Sequence, residues 1–247
     1  MPGLTYNSYV QQIATMAVVS ETDPEFVKII PSMIDYAELR IYRDLDLAST
    51  SFSYSGPGLE LQTGSRKLII PVPLPDGSGS FIVSEQVNLI TPAGETDPNG
   101  PVAERVPLLP TTKEYLDAVY GSNAYRAQPK FYAPLSQNEF YVGPVPAENY
   151  RVEVVGTFRP TSMSATNQTT YISEFLPDLL IMASMIYISA YQRNFGRQSD
   201  DPQMAQSYET QYQTLLRSAA VEEARKKYEG PGWSSQSPSP VATPTRG

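Results

Sequence analysis

The stretch EFLPDLLIMASMIYISAYQRNFG, residues 174–196, constrains the fold more than any other. From Leu179 to Ala190 it runs twelve residues without a charge. A bilayer span needs about 20 apolar residues. Here Pro177 and Asp178 stand at one end and Gln192 and Arg193 at the other, so the spacing predicts a buried helix and no membrane span. On a helical wheel Leu179, Met182 and Ile186 lie on one side and Ile181, Met185 and Ile188 on another. A helix that is apolar all round must be covered all round. At 1.5 Å per residue, residues 173–195 predict one rod of about 35 Å, stopped by Gly196.

Upstream, residues 5–20 predict a first helix, with Tyr9, Ile13, Met16 and Ala17 on one face. In TDPEFVKIIPSMIDYAELRIYRDLDLAS, Asp23 caps and Pro24 opens a second. Its stripe is Phe26, Ile30, Met33, Ala37, Ile41 and Leu45, and Pro31 predicts a kink or a split. Arg40 and Asp44 are spaced as a surface pair. Downstream, Asp201 caps and Pro202 opens a last helix, striped by Met204, Tyr208, Tyr212, Leu215 and Ala219 and ended by Gly230-Pro231. Glu209, Arg217, Glu222 and Arg225 lie off that stripe.

Between these ends, residues 49–160 change character. TSFSYS, RKLIIPV, SFIVSEQVNLI, PKFYAPL, EFYVGPV and YRVEVVGTF predict strands separated by turn residues. Tyr150, Val152, Val154 and Gly156 alternate with Arg151, Glu153 and Val155, which predicts one buried face. PDGSG (75–79) reads as a tight turn and PAGETDPNGP (92–101) as an exposed loop. Thr111 and Glu114 have capping-box spacing ahead of a short helix that stops at Gly121. TSMSATNQTT (161–170) is a polar linker.

The fold class expected is therefore α+β. Residues 1–48 and 161–228 form a helical domain, packed as a bundle. Residues 49–160 are an inserted antiparallel β module, and residues 229–247 an extended tail. At 247 residues the chain is long enough to bury roughly 70% of its unfolded surface.

Composition narrows the chemistry. There is no cysteine and no histidine, which removes disulfides, thiolate metal sites, Ser-His and Cys-His relays and two-His zinc motifs. No metal, cofactor or catalytic residue is expected. A net charge of −8 disfavours tight wrapping around phosphates but suits a passage that DNA slides through. The N-terminal MPGLTYNSYVQQIATMAVVS has neither the basic start nor the apolar run of a secretory signal. Asp44 with Asp46, Asp200 with Asp201 and Glu222 with Glu223 are acidic pairs, but capping and solvated helix faces account for them better than a glycosidase cleft does. GPGLELQTG lacks phosphate-loop spacing. Most of the seventeen tyrosines fall on strands or helix stripes and read as packing rather than base stacking. The basic run Arg225 to Lys227 suits a helix C-terminal turn, or an electrostatic foot beside an acidic partner. The tail WSSQSPSPVATPTRG is Pro-rich around Trp233 and would lose little ordering entropy on docking in a groove.

Three segments together resemble the head-to-tail adaptor (connector) proteins of short-tailed bacteriophages. YAELRIYRDLDL (36–47) resembles the end of their first long helix, NEFYVGPVP (138–146) a strand closing on Pro-x-Pro, and residues 172–220 their final helical hairpin with its Pro-Asp-Leu-Leu start. The 92–110 insert is longer than that pattern.

The resemblance implies a non-enzymatic virion protein at the head–tail interface, assembled in the host cytoplasm. It implies a ring of twelve copies below the portal that extends the DNA channel and offers the surface for tail nozzle or tail tube proteins. Double-stranded DNA would pass through the lumen without specific binding. Portal docking falls to the tail, at Tyr228, Pro231, Trp233, Pro238, Pro240, Val241 and Arg246. The all-apolar helix would meet sister subunits through Leu179, Met182, Ala183, Met185, Ile186 and Ala190, with Ser184 and Ser189 also allowing close approach. The competing expectations are a carbohydrate-active enzyme using paired carboxylates and a monomeric binding module.

Overall fold

The computed structural model describes residues 3–194 and 202–228, with backbone alone for 48, 190–194, 202–205, 227 and 228. Along the chain run α1 (Tyr6–Met16), α2 (Pro24–Asp44) and a 3-10 turn (Ala48–Thr50). Then come β1 (Ser51–Tyr54), β2 (Glu60–Leu61), β3 (Lys67–Ile69), β4 (Gly79–Thr91), β5 (Glu104–Pro107) and β6 (Leu109–Pro110). After α3 (Lys113–Tyr120) follow β7 (Arg126–Ala127), β8 (Phe131–Pro134), β9 (Glu139–Gly143), β10 (Val145–Pro146) and β11 (Tyr150–Pro160). The last elements are α4 (Tyr171–Phe175), α5 (Pro177–Asn194) and α6 (Pro202–Tyr228). The fold class is α+β. The chain divides into two compact units, Met1–Ala48 with Met163–Gly247, and Ser49–Ser162.

In the helical unit, Asp23 Oδ1 accepts from the Glu25 and Phe26 amides at 2.9 and 3.1 Å and starts α2. Phe26, Ile30, Met33, Ala37 and Ile41 are buried, as their spacing predicts. Pro31 does not split the helix. It lies on the exposed face, as does Val27, whose carbonyl loses its amide partner where water can replace it.

The single rod expected over 173–195 is two helices. Thr170 and Ser173 form a capping box for α4, Leu176 leaves helical geometry at φ −131°, and α5 restarts at Pro177. Proline disfavours the helical region for the residue before it, and Leu176 is that residue. α5 packs against α1, α2, α4 and α6. Its all-round apolar character is thus met largely by its own unit. Tyr9 is fully buried, and its hydroxyl sits 2.6 Å from Ser184 Oγ. Burial holds that phenol well above its ordinary range.

The β unit holds two sheets and a small pair. The first runs β1-β11-β4-β5, with β2 also on β11; the second runs β3-β9-β8-β6; β10 pairs with β7. Two pairings, β6–β8 and β7–β10, are parallel, so the module is not antiparallel throughout. Leu59, Leu61, Leu68, Val87, Leu89, Val142, Val152 and Val154 are fully buried in its core. Gly156 is required at a β-bulge: a Cβ there would collide with the Val83 carbonyl.

The structure also departs from the sequence expectation at the start of α3 and at Glu153. The cap of α3 is Thr112, which accepts from the Tyr115 amide at 3.3 Å, so the Thr111–Glu114 box does not form. Glu153 is not on a solvated face but buried, because Ser53, Asn88 and Arg105 gather around it from β1, β4 and β5.

Candidate interaction surfaces

In the second sheet, Tyr132, Phe140 and Val142 face the core, and by alternation Phe131, Tyr141 and Gly143 face outward. α3 lies on that outer face. A Cβ at Gly143 would stand 2.8 Å from Leu116 and 3.0 Å from Tyr120, so glycine sets how closely the helix seats. Leu116 is the buried residue of α3, which leaves Tyr115 and Val119 exposed. Tyr115 meets Phe131 edge-on at 5.9 Å. Tyr120 lies 6.2 Å from Phe131 and stacks on Tyr125 at 6.3 Å. Leu109 pairs in register with Phe131 and is 57% exposed, and Tyr125 is 59% exposed. The result is a continuous aromatic strip on the surface, of the composition enriched at protein interfaces.

Charges border the strip. Lys113 and Arg66 both bind Asp117, at 2.7 and 3.2 Å, and both lie over the Tyr141 ring. The Lys113 hydrogen bond holds the Asp117 carboxyl below its usual range. Arg126, next to Tyr125, has no carboxylate within 4.0 Å among the described residues.

A second surface is the segment joining β4 to β5. Glu95 Oε1 accepts from the Thr96 and Asp97 amides, and Asp97 Oδ1 from the Asn99 amide, each at 2.9 Å. Arg105 then ties the segment to the sheet, donating to Asn99 at 3.0 Å and to both oxygens of Glu153 at 3.1 and 3.0 Å. Burial would raise the Glu153 carboxyl, but donors from Asn88, Arg105 and Ser53 override it and hold it below the usual range. The loop is therefore braced, and it presents Asp97, Val102 and Glu104 to solvent.

In the helical unit, Arg40 Nη2 binds Glu209 at 2.6 Å and the guanidinium covers the Tyr212 ring at 4.2 Å. Tyr212 in turn donates to Asp44 at 2.8 Å. The anticipated Arg40–Asp44 pair is looser, at 3.7 Å. Glu209 is thus drawn inward to α2, not off the packed face as its spacing suggested. Glu38 is buried and accepts from Thr170 Oγ1 at 3.1 Å, pinning the returning chain.

Glu223 is also buried, against the expectation of a solvated face for the Glu222–Glu223 pair. It takes Tyr171 Oη at 3.0 Å and Lys226 Nζ at 2.7 Å, and Lys226 also reaches Glu222 at 2.8 Å. Lys226 is therefore engaged within its own unit rather than held free as a foot.

Of the residues expected between subunits, Leu179, Ala183 and Met185 are buried within the chain's own helical core. Met182 and Ile186 are half-buried against the same core, and the Ala190 side chain lies outside the described residues. Sequence periodicity registers how much cover a helix needs, not which chain supplies it. Of the tail positions, Tyr228 is described by backbone alone, while Pro231, Trp233, Pro238, Pro240, Val241 and Arg246 lie outside the described residues, as do Asp200 and Asp201. The aromatic strip escaped the sequence reading because Leu109, Tyr115, Tyr125 and Phe131 share no period; only the segment VYGSNAY (119–125), dense in aromatics beside turn residues, hinted at it. Among the described residues no three potential ligands cluster for a metal, and no helix is long and apolar enough to cross a membrane.

Buried Glu38, Glu153 and Glu223 pin segments of the fold, and two ordered surfaces stand open to solvent. A family model described as SU10 adaptor protein matches residues 4–238, and the chain belongs to that family of phage head–tail adaptors. No curated protein matches it.

Proposed function

We propose that the chain forms a ring between portal and tail, extends the DNA channel and carries the tail attachment surface. The family match across residues 4–238 is the observation that carries this reading. Twelve copies per ring is the number the resemblance implies. The net charge of −8 suits a lumen that repels phosphate and lets double-stranded DNA pass without holding it. Residues 229–247 serve as the portal-docking segment, with Trp233 as anchor and the prolines limiting the entropy lost on ordering. Because Leu179, Ala183 and Met185 are occupied inside the subunit, lateral contact along α5 falls to the half-buried Met182 and Ile186 and to other surfaces.

The test is native mass measurement and imaging of the protein mixed with its portal. A closed ring on the portal is the expected species. A subunit that stays monomeric with portal present overturns the proposal.

A further inference from the structure

The aromatic strip and the braced loop are both exposed and belong to the same β unit, and they complement each other. The strip offers Tyr115, Tyr120, Tyr125 and Phe131 with Leu109 and Val119. Its border carries Arg66, Lys113 and Arg126 against Asp117 and Glu114, an excess of one positive charge by that count. The loop offers Pro92, Pro98 and Pro101 with Val102, which is 61% exposed. Its carboxylates are Glu95, Asp97 and Glu104, and the one arginine beside them, Arg105, is engaged by Glu153. Proline and valine pack well on tyrosine faces, and fixed opposite charges set the register of a contact.

We infer that the strip of one subunit receives the 92–104 loop of the next. The occupant is a second copy of this chain, and the proposal rests on the ring reading above. Two different patches meeting head to tail make a heterologous contact, the kind that closes into a ring when the rotation permits. Bracing through Arg105 and Glu153 suits this role, since a loop already ordered loses less entropy on contact.

The chain has no cysteine, so introduced thiols report contacts cleanly. Val102→Cys and Val119→Cys are made as separate single variants, mixed in equal amounts, assembled on portal and oxidised. A disulfide-linked dimer is expected from the mixture and from neither variant alone. A control mixture of Val102→Cys with Val18→Cys, a residue 90% exposed in the helical unit, should give at least tenfold less. In a second test, Arg126→Glu lowers ring yield about tenfold, and combining it with Asp97→Arg restores it.

Rings of full mass without the mixed cross-link, or rings indifferent to Arg126→Glu, overturn the contact while leaving the ring reading intact. Wild-type protein that never assembles on portal refutes the ring reading, and this contact with it. Full rings in which Tyr125→Ala abolishes only the attachment of a tail protein assign the strip to that partner and overturn the proposal.

Discussion

Arg40 of α2 and Glu209 of α6 meet at 2.6 Å across 169 residues of sequence, with the Arg40 guanidinium lying on the ring of Tyr212. The junction joins the two ends of the chain that the β unit separates. It also accounts for part of YAELRIYRDLDL: Glu38 pins the return at Thr170, Arg40 clasps α6, and Leu45 and Leu47 are buried.

Breaking this junction should loosen α6. Glu209 is 40% exposed, so solvent screens the pair and Glu209→Gln is expected to lower stability by only about 0.5–1 kcal/mol. Arg40→Ala should lower it more, because the contact with Tyr212 goes too. Urea midpoints for the two variants test the order. The Glu209 carboxyl is held down chiefly by its hydrogen bond from Arg40. Its contribution is complete above the ordinary glutamate value of about 4.3 and lost as pH falls through the folded value.

Glu153→Ala should be the more damaging change in the β unit. It strips a buried carboxylate from Ser53, Asn88 and Arg105 and leaves their donors short of an acceptor. A loss of about 2–4 kcal/mol is expected, with Glu153→Gln milder. Since its folded carboxyl value is depressed, the wild-type advantage over Glu153→Gln should shrink as pH falls below about 4. Denaturant titrations at neutral and acid pH measure both.

Leu179→Ala distinguishes cover by the chain itself from cover by neighbours. With Leu179 1% exposed, the isolated subunit should lose about 2–5 kcal/mol, and Ala183→Leu about 1–3 kcal/mol from overpacking. Both losses should appear with no portal present. An isolated subunit of unchanged stability would place these side chains at an interface instead.

Deleting residues 231–247 should abolish portal docking and leave folding untouched. Co-sedimentation with portal reads the first, circular dichroism and the urea midpoint the second. Undiminished docking by the truncated chain removes the tail from the mechanism.

Helix positions were legible wherever apolar spacing and a local cap agreed. Asp23-Pro24 and the stripe from Phe26 to Ile41 needed nothing beyond their own segment. β11 followed from alternation, and β1, β3, β4, β8 and β9 from strand-forming runs between turn residues, but β5, β6 and β7 did not, since ERVP, LP and RA carry no such run and become strands only by pairing with β4, β8 and β10. The buried carboxylates Glu38, Glu153 and Glu223 were hidden for the same reason. Nothing near them in sequence announces Thr170, Arg105 or Tyr171.

What the amino-acid order determined alone was local and compositional: where α2 begins, that α5 must be covered on every side, and that thiol and imidazole chemistry is absent. The tertiary structure decided who does the covering, which acids are buried, and which tyrosines share a surface. Burial and pairing are relations between segments distant in sequence, 48 residues for Arg105 and Glu153 and 132 for Glu38 and Thr170, and a one-dimensional period carries no information about them.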